Sequence, residues 1–295
     1  MAGQYEVVTG PLPPLEAADA VVFTRETIFN IAAKYGFHAT FAPRVYTNAC
    51  KYGVSLPLIR LLNCSITGGT AAHTHISLHS TAKPPANPPP ENPNTNKDTT
   101  MTPLERSFLQ SLLQHLPSST AFTLPTAASY DRVQDGIWSC GTYACWGEDN
   151  REAAVRLTGP PGFHHFEVRT VDGTANPHIA LAALLGLGLN GVDNGLELNI
   201  EAVDGPAVVL SPDERVNRGI VRRLQRTLSA ARDAARVDPI ISEVLGQEFV
   251  EKYLGVNEVR GHVTVALAFN KLTIDRPWKN TWRRALLNKT ESRTY

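Results

Sequence analysis

No stretch of this sequence is apolar for long enough to cross a bilayer; none approaches about 18 residues. The N-terminus also shows no basic-then-apolar leader pattern, so a cytoplasmic chain with no membrane partner is expected. Net charge is missing as well: Lys plus Arg number 28 and Asp plus Glu number 28. That balance removes the electrostatic case for nucleic acid or an anionic lipid surface as the general partner. Cysteine is scarce, and Cys50, Cys64, Cys140 and Cys145 show no zinc or redox spacing, so free thiols in a reducing compartment are expected. What remains is ordinary globular material. With 42% hydrophobic residues over 295 positions, the chain can bury a sizeable core in one large domain or two smaller ones.

The most informative stretch runs from Phe163 to Asn190. It opens as a strand, and side chains two apart share a face, which puts His165, Glu167 and Arg169 on one side and Phe166 and Val168 on the other. Asp172-Gly173 turns the chain, Asn176 can cap, Pro177 suits the first helical turn, and Ile179 to Leu189 is an apolar run punctuated by glycines. A carboxylate beside a guanidinium suits a site that holds a cation and an anion close together; an ion pair on a solvated face is the alternative for this stretch alone.

Other stretches repeat the theme. A short strand over Gly3 to Val8 places Gln4 and Glu6 on one face, and His38 to Val45 alternates like a strand. His73, His75 and Ser77 share a face of another strand. Helices are expected from Pro13-Pro14 to about Tyr35, as core scaffold, over Leu104 to Leu116, and within 201–255, where Ile240 to Leu254 is apolar at helical spacing. Residues 81–103 include a proline-rich loop with no assigned function. Arg132, Arg151, Arg156 and Arg169 form an anion-handling set, because a guanidinium presents a fixed fork to carboxylate or phosphate and stays charged.

Five blocks in order carry a family resemblance. They are Gly3-Gln4-Tyr5-Glu6; Ala39-Thr40-Phe41-Ala42-Pro43; His73-Thr74-His75-Ile76-Ser77-Leu78; Ser129-Tyr130-Asp131-Arg132 leading to Asn150-Arg151-Glu152 and Arg156; and the Phe166-Glu167-Val168-Arg169 strand followed by Asp172-Gly173-Thr174-Ala175-Asn176-Pro177. Together they resemble the glutamine synthetase catalytic domain, closest to its fungal glutamine-synthetase-like branch. The fold implied is α/β (α+β), the glutamine synthetase/guanido kinase type, in which an antiparallel sheet forms an incomplete barrel with helices outside it.

The resemblance implies an ATP-dependent ligase of glutamine biosynthesis that makes an acyl phosphate from glutamate or a similar acid and lets an amine displace the phosphate. Its substrates would be ATP, that acid and an amine, and its cofactor Mg2+ or Mn2+. Carried over residue by residue, Arg132 and Arg169 are the catalytic pair that holds the substrate carboxylates, with Gly69 against the substrate amino acid. His75, Ser77, Arg151 and Arg156 serve the nucleotide, while Glu6, His73 and Glu167 are metal ligands. Family members are homo-oligomers.

Three positions depart from the family pattern. Trp138 stands where ammonia-using members carry a catalytic glutamate, His165 where many carry an arginine, and Gly162 where a phosphate-binding lysine is usual. The family's N-terminal β-grasp domain and its further acidic ligands have no counterpart in this sequence. Residues 1–259 are therefore expected to be a partial catalytic domain. Residues 51–68 match nothing in the family and read as an insertion translated from a retained intron. Residues 260–295 read as an unrelated tail, with eight Lys/Arg against two Asp/Glu. The rival readings are a non-catalytic remnant of the domain and a guanidino-kinase-type phosphotransferase.

Overall fold

A computed structural model describes residues 5–43, 70–79 and 100–259. The chain divides into two units, Met1–Leu254 and Gly255–Tyr295; of the second, residues 255–259 are described and are helical. The insertion at 51–68, the proline-rich run at 81–99, the tail at 260–295 and Gly69 lie outside the described residues.

At the centre of the first unit lies helix α2, Pro103–Thr123. Thr102 caps it, accepting the Glu105 amide through its hydroxyl, while the Glu105 carboxylate accepts from the Thr102 backbone N–H, so two orphan donors are satisfied reciprocally. The sequence suggested an end near Leu116, yet the helix continues through Pro117. Ser119 and Thr120 turn their hydroxyls onto the carbonyls of Leu116 and Pro117, at 2.9 and 2.7 Å. Burial of Phe122 and its neighbours outweighs the proline.

Helix α3, Pro177–Asp193, starts as expected, with the Asn176 side chain accepting the amides of His178 and Ile179. Its glycines are explained by packing on α2. A Cβ on Gly188 would lie 2.1 Å from the Phe108 ring, and one on Gly191 would lie 2.1 Å from the Ser107 carbonyl oxygen. The two helices approach closely because these positions carry no side chain.

The sheet is small and open, in the order β1-β4-β3-β2. Its strands are β1 Thr74–Ile76, β2 Trp146–Glu148, β3 Val155–Thr158 and β4 His165–Val168. The β1/β4 and β3/β4 pairings are antiparallel and β2/β3 is parallel. Ile76, Phe166, Val168, Val155, Leu157 and Trp146 are buried, and Phe166 stacks on Phe108 of α2 with ring centroids 5.9 Å apart.

Helix α1, Pro14–Lys34, differs from the core scaffold expected of it. Its only buried residue is Ala18, while Leu15, Phe23 and Ile31 are exposed. Apolar residues encircle it, so one packing face cannot cover them all. It meets the α3 end through Arg25, which donates to the Ala175 carbonyl at 2.8 Å, and through Asp19, 2.8 Å from His178 Nε2.

The expected strands at Gly3–Val8 and His38–Val45 do not form over their described residues, 5–8 and 38–43, because no described strand pairs with them. A strand without a ladder has nothing to hold it. The region from 201 onward is helical in short pieces: α4 Pro212–Asn217, α5 Leu228–Val237, α6 Pro239–Leu245 and residues 247–259. Helices were expected here, and the stretch Ile240–Leu254, apolar at helical spacing, is divided at Gly246, whose φ of +83° only glycine adopts readily.

Candidate active site

The cross-strand register assembles the site. His75 of β1 lies opposite Glu167 of β4, and Glu167 lies opposite Arg156 of β3. With a side-chain period of two, His73, His75, His165, Glu167, Arg169 and Arg156 share the face turned away from the core.

Glu167 is the hub. One carboxylate oxygen, Oε1, lies 2.9 Å from His73 Nδ1 and accepts a hydrogen bond from Arg169 Nη1. The other, Oε2, lies 3.0 Å from Arg156 Nε, an ion pair outside hydrogen-bond alignment. The residue is 3% exposed. Burial opposes its ionisation, but the His73 hydrogen bond and the charges of Arg169 and Arg156 prevail and hold the carboxyl at about 2. The His73 pKa is pushed down chiefly by burial, against the pull of Glu167. A neutral His73 keeps a lone pair.

Arg169 is buried and anchored on three sides. It donates from Nε to the Ser139 carbonyl at 2.8 Å, from Nη2 to the Trp138 carbonyl at 2.9 Å, and from Nη1 to Glu167. Arg132 is 1% exposed, and among the described residues its guanidinium finds only long bonds of 3.4 to 3.5 Å to the carbonyls of Arg169 and Val171. Its Nε has no partner among the described residues. A buried guanidinium without a carboxylate costs several kcal/mol, so this position favours an incoming anion.

The 135–142 loop supports Arg169. Asp135 accepts the Thr142 amide at 2.9 Å and its hydroxyl at 2.7 Å. Glu152, also buried, accepts the amides of Gly136 and Trp138. Trp138 is held at φ +54°, a conformation rare for a bulky residue, with its indole 75% exposed. Asn150 anchors the same region by donating to the Val203 and Gly205 carbonyls at 2.7 and 3.0 Å. Glu152 was not singled out from sequence, although it adjoins the apolar run Ala153-Ala154-Val155, where a carboxylate would need partners.

Not every expected residue joins this constellation. Arg151 is exposed in the turn after β2, and Ser77 is exposed with its hydroxyl 3.2 Å from His79 Nε2. Glu6 is exposed in an irregular segment, and among the described residues no group of three or more His, Cys, Asp or Glu gathers to hold a metal ion. Two donors would nevertheless suit a divalent cation: the Glu167 carboxylate, and His73, whose Nδ1 lies 2.9 Å from it; the buried Nε2 of His73 has no hydrogen-bond partner among the described residues. They would fill two of about six positions around a hard cation. The described thiols are inert. Burial pushes Cys145 up to about 12 and raises Cys140 as well, so neither is a reactive cysteine.

No described helix is long and apolar enough to cross a membrane. The family model for the glutamine synthetase catalytic domain matches residues 1–56 and 63–262. Among curated relatives, Protein fluG of Emericella nidulans is 35% identical over 85% of this chain and 24% of its own length. Gamma-glutamylpolyamine synthetase GlnA3 of Streptomyces coelicolor is 35% identical over 86% of this chain and 50% of its own length. The glutamine synthetase of Thermus thermophilus is 28% identical over 87% of the chain and 52% of its own length. The chain thus spans between a quarter and about half of the length of these relatives. A solved GmaS/ADP complex, 22% identical with a TM-score of 0.64, covers 94% of this chain with 55% of its own, and has the same fold. The chain belongs to the glutamine synthetase catalytic-domain family.

Proposed function

We propose that this chain is the carboxylate- and phosphate-handling part of an ATP-dependent carboxylate–amine ligase of the cytoplasm. A glutamate-like acid would take the γ-phosphoryl group of ATP, and an amine would then displace phosphate from the acyl phosphate. The observation that carries this reading is the charge arrangement around Glu167: His73 and Arg156 meet its carboxylate, Arg169 anchors it, and Arg132 lies buried with no carboxylate partner among the described residues. Arg132 and Arg169, with Gly69, would hold the acid substrate. Arg156 and Arg151, with His75 and Ser77, would serve the nucleotide.

His73 and Glu167 would hold a divalent cation, Mg2+ or Mn2+, with Glu6 as a further ligand. Bound there, the cation would offset charge on the transferring phosphoryl group. Converging guanidinium groups do the same without moving a proton, because they remain charged throughout. The name of the Streptomyces relative, a gamma-glutamylpolyamine synthetase, supports an acceptor larger than ammonia. In the full-length protein, homo-oligomerisation is part of this reading. Residues 1–259 are the catalytic part, with 51–68 an insertion and 260–295 a separate tail.

The second reading, a remnant that binds nucleotide without turnover, is favoured by one observation: the described residues gather no third metal ligand. Phosphate release from Mg2+-ATP, measured with and without glutamate and a primary amine, separates the two. Release that requires both co-substrates is expected of the ligase. Nucleotide binding with no release favours the remnant, and failure to bind ATP in calorimetry overturns both.

A further inference from the structure

On the site's face His75, assigned above to the nucleotide, has a neighbour to which the ligase reading gives no role. The rings of His75 on β1 and His165 on β4 have centroids 5.0 Å apart, with planes tilted by 45°. Register explains the closeness. His75 lies opposite Glu167, so His165, two residues earlier on β4, is its diagonal neighbour on the same face. On the far side, Thr158 of β3 lies opposite His165. Neither ring makes a hydrogen bond or an ion pair among the described residues, in contrast to His73, His115 and His178, whose nitrogens meet carboxylates at 2.8 to 2.9 Å.

Two unpartnered imidazoles fixed on paired strands are a preorganised bidentate ligand. Metal–nitrogen bonds of about 2.0–2.1 Å, opened to roughly the tetrahedral angle, place two ring centroids about 5 Å apart. Rotation about the side-chain bonds can therefore bring one nitrogen from each ring onto a common ion while the strands stay in place. Imidazole donors suit Cu2+, Ni2+ and Zn2+, whereas Mg2+ prefers oxygen.

We propose that His75 and His165 form a two-imidazole site for a borderline transition-metal ion, Cu2+ binding most tightly, separate from the His73–Glu167 pair. Water completes the coordination shell. The ion adds positive charge to the face that carries Arg156 and Glu167, so it competes with cationic ligands there. The inference concerns metal binding to the free chain; a nucleotide that takes His75 under the ligase reading would compete with the ion for that ring.

The test uses the untagged full chain, titrated with CuCl2 and separately with ZnCl2 in a non-chelating buffer. Electron paramagnetic resonance of the Cu2+ form reports the number of coordinating nitrogens. One Cu2+ per chain with two imidazole nitrogens is expected, undisturbed by excess Mg2+. His75→Gln and His165→Gln should each weaken binding by about tenfold or more and remove one nitrogen from the spectrum, while His38→Gln should change neither. Should His165→Gln lose its native near-ultraviolet spectrum, His75→Gln, at an exposed position, carries the test. Unchanged Cu2+ affinity in the His75→Gln variant, or full displacement of Cu2+ by Mg2+, overturns the proposal.

Discussion

Glu167 and Glu6 were assigned the same kind of role from the same family pattern, yet they occupy opposite physical situations. Glu167 sits in a strand with neighbours on both sides, 3% exposed, among His73, Arg156 and Arg169. Glu6 sits in an irregular segment that pairs with no described strand, and is exposed. The difference teaches that a ligand motif acquires its chemistry from the elements beside it. A carboxylate on a paired strand is fixed by cross-strand partners, and its ionisation is set by them. The same residue type in an irregular exposed segment is a solvated charge.

The largest expected effect therefore separates these two residues. Glu167→Gln removes the counter-charge from two guanidinium groups and His73, and breaking a buried ion cluster at one partner costs about 3 kcal/mol or more. Glu6→Gln should stay within about 0.5 kcal/mol of the parent chain, as exposed substitutions usually do. Urea unfolding of both variants checks the contrast. Equal midpoints would mean that the Glu167 cluster contributes nothing to stability.

Lowering the pH tests the same cluster without mutation. The folded-state pKa of Glu167, about 2, lies below the ordinary glutamate value near 4.3, so the unfolded chain binds more protons between them. The stabilisation is fully present above about pH 4.3 and is lost as pH falls through about 2. The pH dependence of unfolding should flatten across this window in Glu167→Gln and be unchanged in Glu6→Gln. Asp238 adds its own slope at acid pH, since the His115 and Ser118 hydrogen bonds and the Ile240 amide, acting against burial, lower its pKa too. The diagnostic quantity is thus the difference between the parent chain and Glu167→Gln.

How far the sequence anticipated this structure follows the same division. The β4–α3 stretch was legible residue by residue, because a period of two followed by a cap, a proline and a helical apolar run has few alternatives. The Glu167, Arg169 and His73 grouping followed from the family blocks. Less legible were features set by partners distant in sequence. The exposure of α1 depends on how much apolar surface its neighbours cover. The Gly246 break depends on a backbone conformation, and the His75–His165 contact on strand register. Glu152 falls in this group, because its partners are backbone amides, which leave no trace in residue identity.

A smaller effect is expected at Glu152, which supports the site without being its hub. Replacing its carboxylate by an amide in Glu152→Gln weakens two charge-assisted acceptor contacts and turns a donor toward the Gly136 and Trp138 amides, at a cost of about 2 kcal/mol. The readout particular to this role is the Trp138 environment. The emission difference between Glu152→Gln and the parent should shrink when both carry Trp138→Phe, because the released loop moves that indole. A stability loss with unchanged Trp138 emission would leave Glu152 as a structural acceptor that does not position the loop.

The smallest effect concerns the indole itself. Where ammonia-using relatives of the pattern carry a glutamate, this chain has a ring that is 75% exposed, on a backbone whose carbonyl is bonded to Arg169. A glutamate attracts ammonium and accepts its proton; an indole does neither, but its face attracts an organic cation by about 0.5 to 1 kcal/mol at an exposed position. Under the ligase reading, a primary alkylammonium should outcompete ammonia as acceptor. Trp138→Glu should shift the ratio of kcat/KM values toward ammonia by roughly two- to fivefold, the equivalent of that energy. Trp138→Phe should retain most of the preference and Trp138→Leu lose it, since only the former keeps a π face. Competition assays with butylammonium and ammonium at fixed ionic strength measure the ratio directly. Equal ratios in Trp138→Phe and Trp138→Leu would show that the ring face has no part in acceptor choice, leaving Trp138 as a side chain exposed by the loop that holds Arg169.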